Sequence, residues 1–303
     1  MIQLYNRRCH SFETEQIPGE KWLSWLYETP SGHLALEWLI KRRWYSSLTG
    51  FYCGLKISRR LIRPFIEKYH IPIEEALENM ETFSSFNDFF TRRLKSQARP
   101  FPESENEIPS PGDGRMQVFP QIHQNRVWQI KGSPYRLKDL IHDDALAARF
   151  HGGSCILLRL APVDYHRFHF IESGTAEAPR RIPGSFYSVN PIALKHIREI
   201  FCKNFRMLTL LHTPHHGDIL YVEVGATSVG SIVQCLPEGG PVQKGQEKGF
   251  FKFGGSSILL FFEPGQVFFD QDLIYMSKRG IETRISAGES IGIWEKSVFS
   301  GNL

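Results

Sequence analysis

The sequence contains no apolar run near the roughly 18 residues that a bilayer-spanning helix needs; its longest, such as Ile258 to Phe262, are strand-sized. The five cysteines, Cys9, Cys53, Cys155, Cys202 and Cys235, are odd in number and never spaced Cys-x-x-Cys. They fit neither a disulfide framework nor a zinc knuckle and read as free thiols in a reducing compartment. A Gly-x-Gly-x-x-Gly or Gly-Lys-Ser phosphate loop is missing, as is a His-Glu-x-x-His zinc helix. Internal repeats and low-complexity tracts are absent. Arg7 and Arg8 are followed by Ser11, Glu13, Glu15 and Gln16 where a signal peptide would be apolar, so secretion by that route is not expected. Lys and Arg number 36 against 32 Asp and Glu, and a net charge of +4 is too mild to point to nucleic acid. What is present is a chain of 303 residues, 41% hydrophobic and 22% charged, long enough to bury a core without metal or disulfide staples.

One local absence carries more information. From Trp38 to Ile66 there is no acidic residue, yet Lys41, Arg42, Arg43, Lys56, Arg59, Arg60 and Arg63 all fall there. Four of the six tryptophans, Trp22, Trp25, Trp38 and Trp44, lie in the first fifth of the chain. Leu48, Phe51, Tyr52 and Leu55 follow the i, i+3, i+4, i+7 spacing of one helical face, and Lys56, Arg59, Arg60 and Arg63 repeat it on another, which predicts a basic amphipathic helix. Such a helix can lie in a headgroup layer over anionic lipid. It can equally pack on its own domain with a solvated basic face, and the spacing leaves both readings open.

Farther on, Ile71-Pro72 predicts a short helix with Glu74 and Glu75 in its first turn, and Ser84-Ser85 predicts another carrying Phe86, Phe89, Phe90 and Leu94. Pro109-Ser110-Pro111-Gly112 ends the helical texture. Strands are then predicted over 126–130, 155–160, 207–211, 219–224, 249–262 and 284–293, with one helix around Pro191 to Phe201. The expectation is an α+β chain: a helical region over 1–100 and a β-rich catalytic region over 101–303.

Several segments could carry chemistry. Pro111-Gly112-Asp113-Gly114 sets a carboxylate in a tight turn, a pattern that serves turn formation as readily as catalysis. Asp164-Tyr165-His166-Arg167-Phe168-His169 offers two histidines for acid and base work, metal ligation or plain packing. His212-Thr213-Pro214-His215-His216-Gly217-Asp218 has zinc or iron donors but the Pro and Gly of a hairpin connection, and no metal is assigned. Phe251 to Phe262 is a strongly apolar strand broken by Gly254-Gly255-Ser256-Ser257, which read alone is a bulge. Together, Asp113, His169 and Ser256 supply the set that deprotonates a hydroxyl. A serine after glycine can turn on the preceding carbonyl, that of Gly255, and break its own chain. A serine hydrolase using the same Asp, His and Ser, and a histidine-metal hydrolase, are the alternatives.

At this point the chain resembles the phosphatidylserine decarboxylases, pyruvoyl-dependent enzymes that process themselves from a proenzyme. The similarity runs from about Lys68 to Val267 through Phe86 to Leu94, Arg99-Pro100, Pro111 to Gly114, Asp164 to His169, Tyr187 to Pro191, Val224 to Ser231, and Lys252 to Ser257. Where the family often has Leu-Gly-Ser-Thr, this chain has Phe253-Gly254-Gly255-Ser256-Ser257; cleavage before the first serine after glycine puts the break between Gly255 and Ser256. The resemblance implies chains 1–255 and 256–303 held as a heterodimer, with a pyruvoyl cofactor derived from Ser256 that forms a Schiff base with the substrate. It implies that Asp113 orients His169, that His169 is the base for Ser256, that His166 serves decarboxylation, and that Ser188 and Val189 meet the headgroup. The expected partners are phosphatidylserine in a membrane, an anionic lipid surface and a second copy of the chain, with no nucleic acid. The expected place is the cytoplasmic face of a bacterial inner membrane, bound peripherally. Val242-x-Lys244-Gly245 is similar to barrel-sandwich hybrid domains of the lipoyl type, which implies that architecture for the core.

Overall fold

The computed structural model describes residues 2–122, 128–130, 133–227 and 232–295. Arg126 and Val127 of the expected 126–130 strand, Ser228 to Ser231 of the expected 224–231 motif, and residues 296–303 of the expected smaller chain lie outside the described residues.

The continuous apolar run Ile258 to Phe262 belongs to a strand, Ser256–Phe262, whose seven residues are all buried. Strand residues alternate between faces, so a strand apolar at every position must be covered on both sides. Ile258, Leu260 and Phe262 join a core that includes Phe168, Tyr221, Phe251 and Trp294, while Leu259 and Phe261 join another that includes Leu140, Phe150, Leu157 and Val222. Asp218–Val224 and Ser154–Leu160 flank this strand, both antiparallel to it, in an 11-stranded mixed sheet. Gly114–Phe119 and Glu282–Ile285 continue the sheet on one side, Arg206–His212 and Gly174–Ala176 on the other. A small sheet of Ile232–Gln234, Glu247–Phe251 and Arg167–His169 contributes to the first core. Short helices cover the second, among them α1 (Glu20–Glu28), which buries Leu23, Leu26 and Tyr27. The chain is α+β and mainly β.

The amino-terminal hundred residues, expected to be helical, begin differently. Gln3–Asn6 pairs in parallel with Glu282–Ile285 and antiparallel with Ser11–Thr14, so the chain starts inside the large sheet. Glu15 is then buried in ion pairs with Arg115 and Arg159. Four-residue strands are too short to show a period, and the buried carboxylate of Glu15 is neutralised in place.

Helices follow: α2 (Pro30–Ala35), α3 (Arg43–Gly54), α4 (Ile62–Tyr69) and α5 (Phe86–Phe90). The single basic amphipathic helix is corrected to three pieces, because Leu55 is extended and Lys56–Leu61 is a 3-10 turn. Gly54 weakens the helix end. The Ser58 hydroxyl then pins the turn by donating to the Cys53 and Leu55 carbonyls and accepting from the Phe86 N–H. The helix expected at Ile71-Pro72 is one 3-10 turn, Ile73–Glu75. Ser85 caps α5 as its sequence suggests, its Oγ accepting the Asp88 N–H at 3.2 Å. The expected 249–262 strand is two strands parted at Lys252 to Gly255, the 284–293 strand is Glu282–Ile285 plus Ser290–Trp294, and the 191–201 helix is Pro191–His196 plus Ile200–Lys203. Glu199, with φ of 57°, makes that last break.

Candidate active site

Ser256 opens the central strand, in register with Leu160, and Ser257 stands opposite Arg159 and Val224. The hydroxyl oxygens of both serines are buried with no hydrogen-bond partner. An unsatisfied buried hydroxyl costs about 1–3 kcal/mol, so this strand end holds a polar group that the sheet itself does not need. Just before it, Gly254 takes a φ of 137°, which L side chains rarely adopt. At Gly255 an added Cβ would meet Val189 Cγ2 at 3.7 Å, an ordinary contact, so the backbone demand falls on Gly254 rather than on Gly255. Gly255 borders a cavity of about 50 Å³ that Leu160, Ala161, Ser188, Val189 and Asn190 also line. Ser188 and Val189, expected at the headgroup, are thus next to the expected break.

Helix α5 fixes the segment from the other side. Asn87 Oδ1 accepts the Phe253 N–H at 3.0 Å, and the Phe253 ring packs on Phe86 and Phe90 at 5.2 Å each. Phe90 in turn stacks on His166, ring centroids 4.0 Å apart. His166 is fully buried. Its Nε2 lies 3.0 Å from the Ala161 carbonyl, which assigns the proton to Nε2 and leaves Nδ1 an open acceptor, buried and without a partner. Burial pushes this imidazole from 6.5 down to about 3, so it is neutral at physiological pH. The Phe251 N–H donates to the His166 carbonyl, and Ala161 follows the residue paired with Ser256. These bonds set His166 beside the end of the strand that carries Ser256.

His169 sits three residues farther along, opposite Glu247. Its Nδ1 lies 3.0 Å from the Gly245 carbonyl and so carries the proton, leaving Nε2 a buried, unpartnered acceptor. Burial lowers its pKa against the opposing pull of the Gly245 carbonyl, Glu247 and Asp113. Among the described residues no hydrogen bond joins His169 to Asp113 or to Ser256. Asp113 is engaged elsewhere: it accepts two bonds from Arg99 Nε and one from Arg99 Nη2 at 2.7 to 3.1 Å, and the Ala287 N–H at 2.8 Å. Its influence on His169 is through its field, while the Gly245 carbonyl orients the ring.

The second histidine cluster has other tasks. His212 lies between Asp218 and Glu177, at 2.9 and 3.1 Å, and His216 stacks on Trp294 at 4.6 Å. Among the described residues no group of three His, Cys, Asp or Glu side chains is arranged to hold a metal ion. Gly288-Glu289-Ser290-Ile291-Gly292 has the Gly-x-Ser-x-Gly spacing of a nucleophile elbow, but Ser290 begins a strand rather than joining a strand to a helix.

Sequence reasoning missed the supports of the loop 186–190. The Tyr27 hydroxyl of α1 accepts the Ser188 N–H at 2.9 Å, and Asn204 clamps Tyr187 through both its N–H and its carbonyl. The Phe186 N–H donates to the Lys41 carbonyl, and the Tyr187 hydroxyl meets Glu37 and Lys41. None of these long-range bonds has a sequence signal. Asn87 does have one, since it lies in the Phe86 to Leu94 motif.

A family model described as phosphatidylserine decarboxylase matches residues 86–293. Relatives described as phosphatidylserine decarboxylase proenzymes align over nearly the whole chain. That of Ruminiclostridium cellulolyticum is 50% identical over 292 residues, 96% of this chain and 97% of its own length. Those of Clostridium kluyveri and Clostridium perfringens are 48% and 46% identical, covering 97% and 96% of this chain and 99% of each relative. With a match of this extent over the segments that build the Ser256 site, the chain belongs to the phosphatidylserine decarboxylase family.

Proposed function

We propose that this chain decarboxylates phosphatidylserine to phosphatidylethanolamine and carbon dioxide at a membrane surface, using a pyruvoyl group made from its own Ser256. The observation that carries the reading is the buried, unpartnered Ser256 hydroxyl following a glycine pair at the head of a core strand. In the processing reaction, Ser256 Oγ attacks the Gly255 carbonyl carbon while His169 Nε2 takes the hydroxyl proton. The Gly255–Ser256 peptide bond breaks as the amine leaves, giving an ester. Loss of the Ser256 α-proton expels the Gly255 carboxylate, and water then releases ammonia from residue 256. Asp113 favours the transient imidazolium by its charge.

The residues present fit such a group. Its precursor is the orphaned serine, and the adjoining cavity is bounded by Gly255, Ser188 and Val189. The group supplies an electron sink for the pair released when carbon dioxide leaves an amine-bearing carbon. His166 serves the proton that must reach that carbon: it holds one proton at Nε2, presents an acceptor at Nδ1, and is kept neutral by burial. Ser188 and Val189 bound the space for the headgroup.

The membrane reading rests on exposure. Trp22, Trp25, Trp38 and Trp44 are exposed, as are Leu48 and Phe51 of α3, at 58% and 67%. Among the described residues no helix is long and apolar enough to cross a bilayer, and a surface-lying amino-terminal region accounts for these side chains. A barrel-sandwich core, peripheral attachment at the cytoplasmic face of a bacterial inner membrane, and a homodimer of processed chains belong to the same reading.

The test compares three variants with the parent chain. Ser256→Ala should remain one full-length band on a denaturing gel and release no carbon dioxide, whereas the parent chain separates into 1–255 and 256–303. His169→Ala should slow processing by about 10² to 10⁴-fold, and His166→Ala should process yet release little carbon dioxide from phosphatidylserine. A parent chain that stays full length while releasing carbon dioxide would sink the proposal. Processing lost in His166→Ala and kept in His169→Ala would exchange the two roles.

A further inference from the structure

Breaking the basic segment at Leu55 collects its cations instead of spreading them along a helix. Lys56, Arg59, Arg60 and Arg63 line a cavity of about 670 Å³ together with Met80 and Glu81. Four cations converge on a space with one carboxylate among its lining residues, a local excess of positive charge that attracts an anion. The turn beneath is held by hydrogen bonds. Ser58 is buried and bonded to Cys53, Leu55 and Phe86, and Arg59 Nη2 donates to the Glu81 carbonyl at 2.6 Å. Arg60 Nη2 reaches the Tyr52 hydroxyl at 3.5 Å, and no ion pair is made by Lys56 or Arg63 among the described residues. Ile57 and Leu61 of the same turn are exposed, at 55% and 39%, and Leu61 lines an apolar cavity together with Leu48. No residue of this cavity lines the one at Gly255.

From this we infer that the 56–63 turn is a discrete headgroup site, separate from the catalytic cavity, for the phosphate of an anionic phospholipid in the membrane on which the protein sits. A lipid phosphate meets the convergent cations, while the lipid's glycerol and first methylenes meet Ile57 and Leu61. Arg side chains favour this ligand because their forked N–H groups match phosphate oxygens. The inference deepens the membrane reading above and rests on it: the surface contact is then a seated lipid and not only a diffuse attraction.

The experiment titrates the full-length protein with phosphatidylcholine vesicles containing phosphatidylglycerol at low salt. It compares the parent, Lys56→Gln with Arg63→Gln, and a control of equal charge change, Lys278→Gln with Arg279→Gln on the helix Gln271–Lys278 and its cap. The pocket pair should weaken vesicle binding about thirty-fold and the control pair less than two-fold, with the thermal unfolding of all three unchanged. Equal losses in the two pairs would overturn the site in favour of diffuse electrostatics. Unchanged vesicle affinity in the pocket pair, with inorganic phosphate binding to the parent and not to the variant, would overturn the lipid assignment in favour of a soluble anion. A parent protein that ignores anionic vesicles would instead overturn the membrane reading itself.

Discussion

Ser256, His166 and His169 share a physical feature, one also found at Ser257 and His216: each has a buried polar side-chain atom left unpartnered. Folding has removed these groups from water without returning a hydrogen bond, and such a cost persists where a reacting partner completes the set. For His166 the cost is readable as pH dependence. Below pH 6.5 the unfolded chain protonates this ring, while the folded chain, with its imidazole held near 3, does not. The unfolded state then binds more protons, so stability is full above about pH 6.5 and falls as the pH drops towards 3. The limit of that loss is roughly 5 kcal/mol. Denaturant midpoints of an unprocessed Ser256→Ala chain, measured between pH 7 and 4, should decline more steeply than those of Ser256→Ala with His166→Gln added. Parallel slopes would show that the ring titrates normally.

Two short helices support the candidate site. Helix α5 holds the Phe253-Gly254-Gly255 segment through Asn87 and holds His166 through Phe90, so one element positions both the proposed nucleophile's strand and the proposed proton carrier. Asn87→Ala strands the Phe253 N–H at a cost of about 1–3 kcal/mol and frees the glycine pair. Processing should slow at least ten-fold, read from the time course on a denaturing gel, with Asn87→Asp recovering part of the rate because it keeps the acceptor. Helix α1 supports the 186–190 loop, proposed to meet the headgroup, through Tyr27. Tyr27→Phe keeps the ring and removes the acceptor, so KM for phosphatidylserine should rise about five-fold, the equivalent of about 1 kcal/mol, while processing stays at the parent rate. A slower processing rate in this variant would place Tyr27 in support of the cleavage geometry instead.

At the scale of the whole molecule, the proposed Gly255–Ser256 break falls at the head of a strand buried along its length. The strand Ser256–Phe262 is paired along its length with Ser154–Leu160 and with Asp218–Val224, both from the segment before the break. Its five apolar side chains are buried in two cores. The processed chains should therefore elute together in native gel filtration and separate only in denaturant. Leu259→Ala, which opens a cavity in the helix-covered core, should lower stability by about 2–5 kcal/mol. The exposed tryptophans lie in the same amino-terminal region whose Tyr27, Glu37 and Lys41 support the 186–190 loop, so on the proposed reading the lipid-facing surface and the substrate loop share one scaffold. Trp22→Ala with Trp25→Ala and Trp38→Ala should reduce sedimentation with liposomes several-fold.

The apolar run at 258–262, the Ser85 cap, the turn at Pro109 to Gly112 and the odd Gly-Gly-Ser-Ser break were all legible in the sequence, because each depends on neighbours within a few residues. So were the candidate residues themselves, through their side-chain chemistry and the family motifs. Tertiary structure alone decided what those residues do to one another. It put Asp113 in the hands of Arg99 and Ala287 rather than against His169, turned the His169 ring to the Gly245 carbonyl, and set Phe90 over His166. It also drew residues 3–6 and 11–14 into the large sheet and broke the basic helix at Leu55, where Ser58 reaches the Phe86 N–H. Local pattern reports what a segment can bury and how it turns. Partners separated by tens to hundreds of residues leave no period or spacing to read, and in this protein those partners set the pKa values, the tautomers and the cavities.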